Sequence, residues 1–170
     1  RTDADVAGRF PHRAAGHRSL LAVTRKLFLS DALPLETKVK RFEQFTADRR
    51  FYREYYYQLN DLASILAIRY PDDRRVVELY ANHLIASGEL EQALALYKSR
   101  LGDRPPAEDF YRTVIDIETY LQHPDSVEKY VGKALELFPD KVDFHISKGH
   151  VMNSSKQYGQ ACLLYTSDAA

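Results

Sequence analysis

Six histidines are the side chains best suited to metal or acid–base chemistry: His12, His17, His83, His123, His145 and His150. A zinc site on a helix wants ligands four residues apart, so that both point the same way. His145 and His150 are five apart and diverge, while Asp143 and His145 are two apart and point to different sides. No metal site is expected, and His145 reads as a partly packed position. The seven glycines are scattered, with neither a G-x-G-x-x-G nor a G-K-[ST] run to cradle phosphate, and no nucleophile elbow occurs. The carboxylates fall on amphipathic stretches, where a solvated face accounts for them. The chain reads as non-catalytic, with no cofactor and no evident small-molecule substrate.

The densest local signal is RRFYREYYYQ, residues 49–58. Arg49, Arg50 and Arg53 interleave with Phe51, Tyr52, Tyr55, Tyr56 and Tyr57. Arginines among aromatics can clamp single-stranded nucleic acid by stacking. The same residues also fit a packed helical face, with Tyr52, Tyr55 and Tyr56 inward and the arginines lying beside them. The packed face is the expectation adopted, ahead of a protein-binding surface and then of nucleic acid.

Composition narrows the classes further. Lys plus Arg number 24, as do Asp plus Glu, so total charge is balanced. A dedicated nucleic-acid binder shows a strongly basic face, so nucleic acid is not an expected partner, although a local patch stays open. The 170 residues, 45% of them apolar, suffice for one domain with a real core. No apolar run approaches the ~18 residues that span a bilayer. The single cysteine, Cys162, makes no internal disulfide, and the compartment stays open between cytoplasm and cell envelope.

The elements that must position these residues follow a repeat. Pro71, Pro105 and Pro139 stand 34 residues apart, each after an apolar helical run. Proline cannot continue a helix, so the three mark equivalent helix ends. In residues 74–107, RRVVELYANHLIAS puts Val77, Tyr80, Ala81 and Leu84 on one face. Gly88 suits the left-handed residue that closes a helix. ELEQALALYKSRL then forms a second helix with Leu90, Ala93, Leu94, Tyr97 and Leu101 inward, the small Ala93 letting two backbones approach. A shift of 34 places Tyr111, Val114, Ile115 and Glu118 under the first face, followed by Val127, Val131, Ala134 and Leu135. A second shift places Gly149 under Ala81, Met152 under Leu84, Tyr158 under Leu90 and Ala161 under Ala93. Upstream, LETKVKRFEQFTAD and RFYREYYYQLNDLASILAIRYP read as another helix pair, the second unusually long. LLAVTRKLFLS reads as the last helix of a still earlier unit.

This pattern resembles the tetratricopeptide repeat (TPR) family, with Ala81, Leu90, Ala93, Tyr97 and Pro105 at its favoured positions and Arg100 replacing its late Ala. In the next unit Ala134 and Pro139 fit, while Ile115 and Val127 replace small residues; in the last, Gly149, Tyr158 and Ala161 fit. The resemblance implies an all-α fold, antiparallel helix pairs stacked as a right-handed TPR-like solenoid. The helical repeat array is expected over residues 20–161; the resemblance itself covers about residues 72–161, with best-matched units 74–107, 108–141 and a truncated 142–161. It further implies a concave groove that holds peptides or partner helices. The implied groove residues are Arg75, Glu78, Asn82, Ile85 and Ala86, then Asp109, Arg112, Asp116, Thr119 and Tyr120, then Asp143, Ile146, His150, Asn153 and Ser154. Asn82 fits the family's terminal-carboxylate clamp, but Glu78 stands where that clamp wants Lys, so a chaperone-tail clamp is not expected. Among the charged groove residues two are basic and four acidic, which favours a ligand bearing Lys or Arg beside apolar contacts from Ile85, Tyr120 and Ile146.

Both ends stand apart from the repeat. Residues 1–19 are rich in Arg, Ala, Gly and His without a period, and are expected to be disordered or non-native; a basic arm is the further alternative. The tail CLLYTSDAA, residues 162–170, matches the translation of a transposase sequencing adaptor. It is expected to be non-native, Cys162 carries no functional weight, and the array is expected to be cut mid-unit. The expected source is then bacterial shotgun or environmental DNA, and the start at Arg1 reads as a fragment or processed product. The functional expectation is a non-catalytic protein-interaction scaffold, with the repeat portion of a larger enzyme or regulator as the rival.

Overall fold

The computed structural model describes residues 10–167, and side chains for residues 15–154. Among the described residues there are nine helices and no strand, so the fold is all-α: α1 (Phe10–Leu29), α2 (Leu35–Ala47), α3 (Arg49–Glu54), α4 (Tyr56–Arg69), α5 (Arg74–Ala86), α6 (Leu90–Arg100), α7 (Glu108–Tyr120), α8 (Pro124–Leu137) and α9 (Val142–Ser167). They fall into two compact units, Arg1–Ser87 and Gly88–Ala170.

The helix starts keep the repeat's time. α5, α7 and α9 begin at residues 74, 108 and 142, and α6 and α8 at 90 and 124. The turns agree as well. Gly88 has φ 86°, and Gln122, its equivalent one repeat later, is the one described non-glycine residue with positive φ, at 59°. After α7 the Gln122 N–H donates to the Thr119 carbonyl (3.1 Å) and the His123 N–H to the Glu118 carbonyl (3.0 Å). These are the two bonds of a Schellman cap, which satisfies the carbonyls a helix end leaves open. The three-residue turn brings α8 back against α7.

Within Arg1–Ser87, Leu21 and Phe28 of α1, Phe42 and Phe45 of α2, Leu59, Leu62 and Leu66 of α4, and Val76 and Leu79 of α5 share one core. Lys38 is buried beside it, donating to the carbonyls of Phe28 (3.1 Å) and Ser30 (2.7 Å) and to the Tyr70 hydroxyl (3.0 Å). A buried ammonium is tolerated because it has partners, here the open carbonyls at the end of α1. Within Gly88–Ala170, Tyr111 and Ile115 of α7, Val127, Val131 and Ala134 of α8 and Phe144 of α9 form a second core. Glu118, in the register of Leu84, is only 1% exposed. Lys98 pairs with one of its oxygens, and the His123 Nδ1–H donates to the other at 2.7 Å. The Lys98 contact is an ion pair without the directionality of a hydrogen bond. Burial alone would raise the Glu118 carboxyl; Lys98 and His123 outweigh it and hold it below the usual range.

Five features depart from the sequence reading. The long helix expected after Asp48 breaks at Tyr55 (φ −114°, ψ 27°) into α3 and α4. The break accompanies burial of the Tyr55 ring against Phe51, with centroids 4.7 Å apart. Pro71 and Pro139 follow their helix caps directly, but α6 stops at Arg100, well before Pro105, where a turn bond from the Asp103 N–H to the Arg100 carbonyl (3.1 Å) ends it early. α9 runs unbroken through Lys156, the register position of Gly88 and Gln122, because Ser154–Gln157 offers neither Gly nor Pro to stop it. α1 starts at Phe10, inside the segment expected to be disordered or non-native, and His17 meets the Phe51 and Tyr55 rings edge-on. Residues 1–9 and 168–170 lie outside the described residues. Lastly, the division at Ser87 and Gly88 cuts within residues 74–107 rather than at a repeat end, since Val76 and Leu79 belong to the first core.

Candidate functional site

A cleft of about 740 Å³ opens in the first unit between α2, α3 and α5. Val39, Phe42, Glu43 and Thr46 of α2, Arg49, Tyr52 and Arg53 of α3, and Arg75, Glu78, Leu79, Asn82, His83 and Ala86 of α5 line it. Its size falls within the ~300–1,000 Å³ of ligand pockets, and its lining mixes apolar surface with a few convergent polar groups.

Local chemistry sets each wall. Asp48 caps α3, its Oδ1 accepting from the Arg50 N–H (2.9 Å) and the Phe51 N–H (3.1 Å). Asp73 caps α5 in the same way, accepting from the Arg75 N–H (3.0 Å) and the Val76 N–H (3.4 Å). Asx side chains at this position satisfy donors that a helix start leaves open. The caps fix where each helix begins, and so which residues face the cleft.

His83 forms part of the buried floor. Asn60 Oδ1 can only accept, so His83 carries its proton on Nε2 and donates it there (3.0 Å). Nδ1 accepts from the Tyr52 hydroxyl at 2.8 Å. The ring stacks on Tyr56 (5.5 Å between centroids, 12° between planes) and meets Phe42 and Tyr52 edge-on. Burial pushes the His83 pKa down from its ordinary value, so the neutral ring is favoured.

The arginine–tyrosine stretch divides between roles. Tyr55 joins the core, Tyr56 supports His83, and Tyr52, Arg49 and Arg53 line the cleft. Tyr57 is 83% exposed. The expected packed face thus holds fully for Tyr55 and in part for Tyr52 and Tyr56, both half-buried, while Tyr57 and the arginines face open space.

Of the groove residues implied by the repeat, Arg75, Glu78, Asn82 and Ala86 come together on this cleft, and half-buried Ile85 is not among its lining. In the second unit Arg112, Asp116 and Asp143 share a hollow of about 180 Å³ with Ile115, Phe144 and Ser147. Arg112 pairs with Glu108 (2.6 Å) and Asp143 (3.1 Å), and Lys141 also reaches Glu108 (2.7 Å). Lys141 first, then Arg112, holds the Glu108 carboxyl below its usual range, against its partial burial. The Thr119 hydroxyl donates back to the Ile115 carbonyl (2.7 Å). Tyr120 and Ile146 are 75% and 53% exposed, and Asp109, His150, Asn153 and Ser154 are exposed too.

Glu78 pairs with Arg74 (3.0 Å) and Arg75 with Asp73 (3.1 Å), so neither offers its full charge to a ligand. Arg49 and Arg53, outside the repeat-derived set, supply the cleft's remaining cations. His145 departs from its expected packed position: it is exposed and donates Nε2–H to the Pro139 carbonyl (2.6 Å). Phe42, Leu79 and His83 were not singled out for the site, because nothing in their spacing separates a cleft wall from a core face.

Among the described residues no three His, Cys, Asp or Glu side chains gather to hold a metal ion, and no helix is long and apolar enough to cross a membrane. No family model matches the chain, and no curated protein matches it.

Proposed function

We propose that this chain is a non-catalytic interaction scaffold, a TPR-like helical repeat that holds a peptide or partner helix in the cleft of its first unit. The reading includes a right-handed solenoid of antiparallel helix pairs. One observation carries it: Arg75, Glu78, Asn82 and Ala86, groove positions by the repeat register, line a single cleft with apolar Phe42 and Leu79 beneath. The 34-residue timing of helix starts supports the register itself. A groove of this kind binds through a few buried anchors, with polar contacts setting orientation.

The test is selection of binders from a random-peptide library on the full chain, repeated on Ala86→Trp. Ala86 is exposed on the cleft wall, so the bulky ring should obstruct the cleft while sparing the core. Binders lost on the variant support the reading. A library that yields none sensitive to Ala86→Trp refutes it.

A further inference from the structure

We infer that the cleft takes an acidic partner segment, one whose carboxylates meet Arg49 and Arg53 while an apolar side chain enters against Phe42 and Leu79. The inference rests on the groove reading above and names the chemistry of the occupant. Arg49 and Arg53 are four residues apart on α3 and both line the cleft. At that spacing they share a helix face, and their like charges weaken the helix that carries them. Neither has a carboxylate partner among the described residues, whereas Arg75 and Glu78 are paired to Asp73 and Arg74. The lining holds two carboxylates, Glu43 and Glu78, and Glu78 is already paired with Arg74.

A ligand carboxylate near this pair relieves the repulsion and gains the two-pronged hydrogen bonding for which guanidinium is shaped. The apolar floor adds a second requirement: Phe42 and Leu79 reach the lining with only 2% and 9% of their surface exposed and offer a purely polar anion no partner there. The chain's total charge is balanced, so selection is local. It should therefore govern encounter rate and specificity, and weaken with salt. Phosphate oxygens share the anionic chemistry, but the apolar floor between α2 and α5 favours a peptide side chain over a nucleic-acid backbone.

The experiment measures fluorescence anisotropy of a labelled peptide in which leucines are spaced between glutamates. Its analogues with Gln or Lys in place of every Glu, and a labelled oligothymidine, complete the set. The Glu peptide should bind tightest to the full chain and weaken as salt rises. Arg49→Ala combined with Arg53→Ala should weaken it about tenfold, or ~1.4 kcal/mol, at unchanged melting temperature. Gln or Lys peptides that bind as well as the Glu peptide, yet are lost with Ala86→Trp, overturn the acidic assignment and leave the groove reading standing. No binding by any of the three peptides, or binding indifferent to Ala86→Trp, overturns both. Oligothymidine that binds tighter and displaces the Glu peptide overturns the partner class. Should the double variant not fold, the ranking of the three peptides on the unaltered chain decides alone.

Discussion

Gln122→Gly is expected to stabilise the protein, and Gly88→Ala to destabilise it, although both residues end equivalent helices. Gln122 sits at φ 59° and Gly88 at φ 86°, in the left-handed region. That region costs an L-residue about 1–2 kcal/mol and costs glycine almost nothing. Gln122 is exposed and its backbone makes the cap, so loss of its side chain should sacrifice little packing. Against the relief stands the greater freedom of glycine in the unfolded chain, about 0.4–1 kcal/mol. The net gain is then about 0.5–1 kcal/mol. At ~2–4 °C per kcal/mol for a chain of this size, the melting temperature should rise by about 1–4 °C. At Gly88 an added β-carbon meets nothing within 4 Å, so Gly88→Ala should cost only the conformational penalty, about 1 kcal/mol. Thermal melts of the full chain by circular dichroism, backed by urea titration, read both. A Gln122→Gly variant that melts at or below the parent temperature refutes the reasoning, as does a Gly88→Ala variant that melts higher.

Lys98→Ala should cost about 2 kcal/mol, because it leaves the buried Glu118 carboxylate with His123 alone, whereas Glu118→Leu releases the partly exposed Lys98 and His123 side chains to water and should stay within about 1 kcal/mol of the parent. Urea titration of both variants checks this, and equal losses would sink the asymmetry. His83 has a folded pKa below its ordinary 6.5, so the unfolded chain takes up the proton first. Its contribution to stability should be complete above about pH 6.5 and diminish as pH falls below that value toward the folded pKa. Proton NMR of the imidazole during acidification reads the folded pKa directly, and titration at or above 6.5 would contradict the buried neutral ring. Tyr120→Ala should leave the melting temperature within about 0.5 kcal/mol equivalent of the parent, since the ring is 75% exposed; a large drop in a thermal melt would assign Tyr120 to packing.

The repeat was legible because its signals are local. A helix stop, a cap and a three-to-four-residue apolar spacing act within a few residues, so Arg74, Glu108 and Val142 could be placed as equivalent starts from residue types alone. Gln122 shows where that legibility thinned. Nothing about glutamine announces a left-handed cap, and only its distance from Gly88 points to one. Glu118 could be seen to occupy a core register, but not to be neutralised there. Lys98 comes from α6 and His123 from the turn after α7, and their convergence is a matter of packing.

The candidate site was half visible. Arg75, Glu78, Asn82 and Ala86 were expected only through the resemblance to a repeat family, and the arginine–tyrosine stretch stood out by composition, yet nothing connected the two before folding. Residues 49–53 and 75–86 meet because α3 breaks from α4 at Tyr55 and both α2 and α5 pack on α4. The sequence by itself determined the helices, their timing and the residue types on offer. Tertiary structure alone decided which arginines are left without a carboxylate, which histidine is sealed among aromatic rings and which apolar side chains border open space. Those properties depend on distances between residues far apart in the chain, where short-range periodicity carries no information.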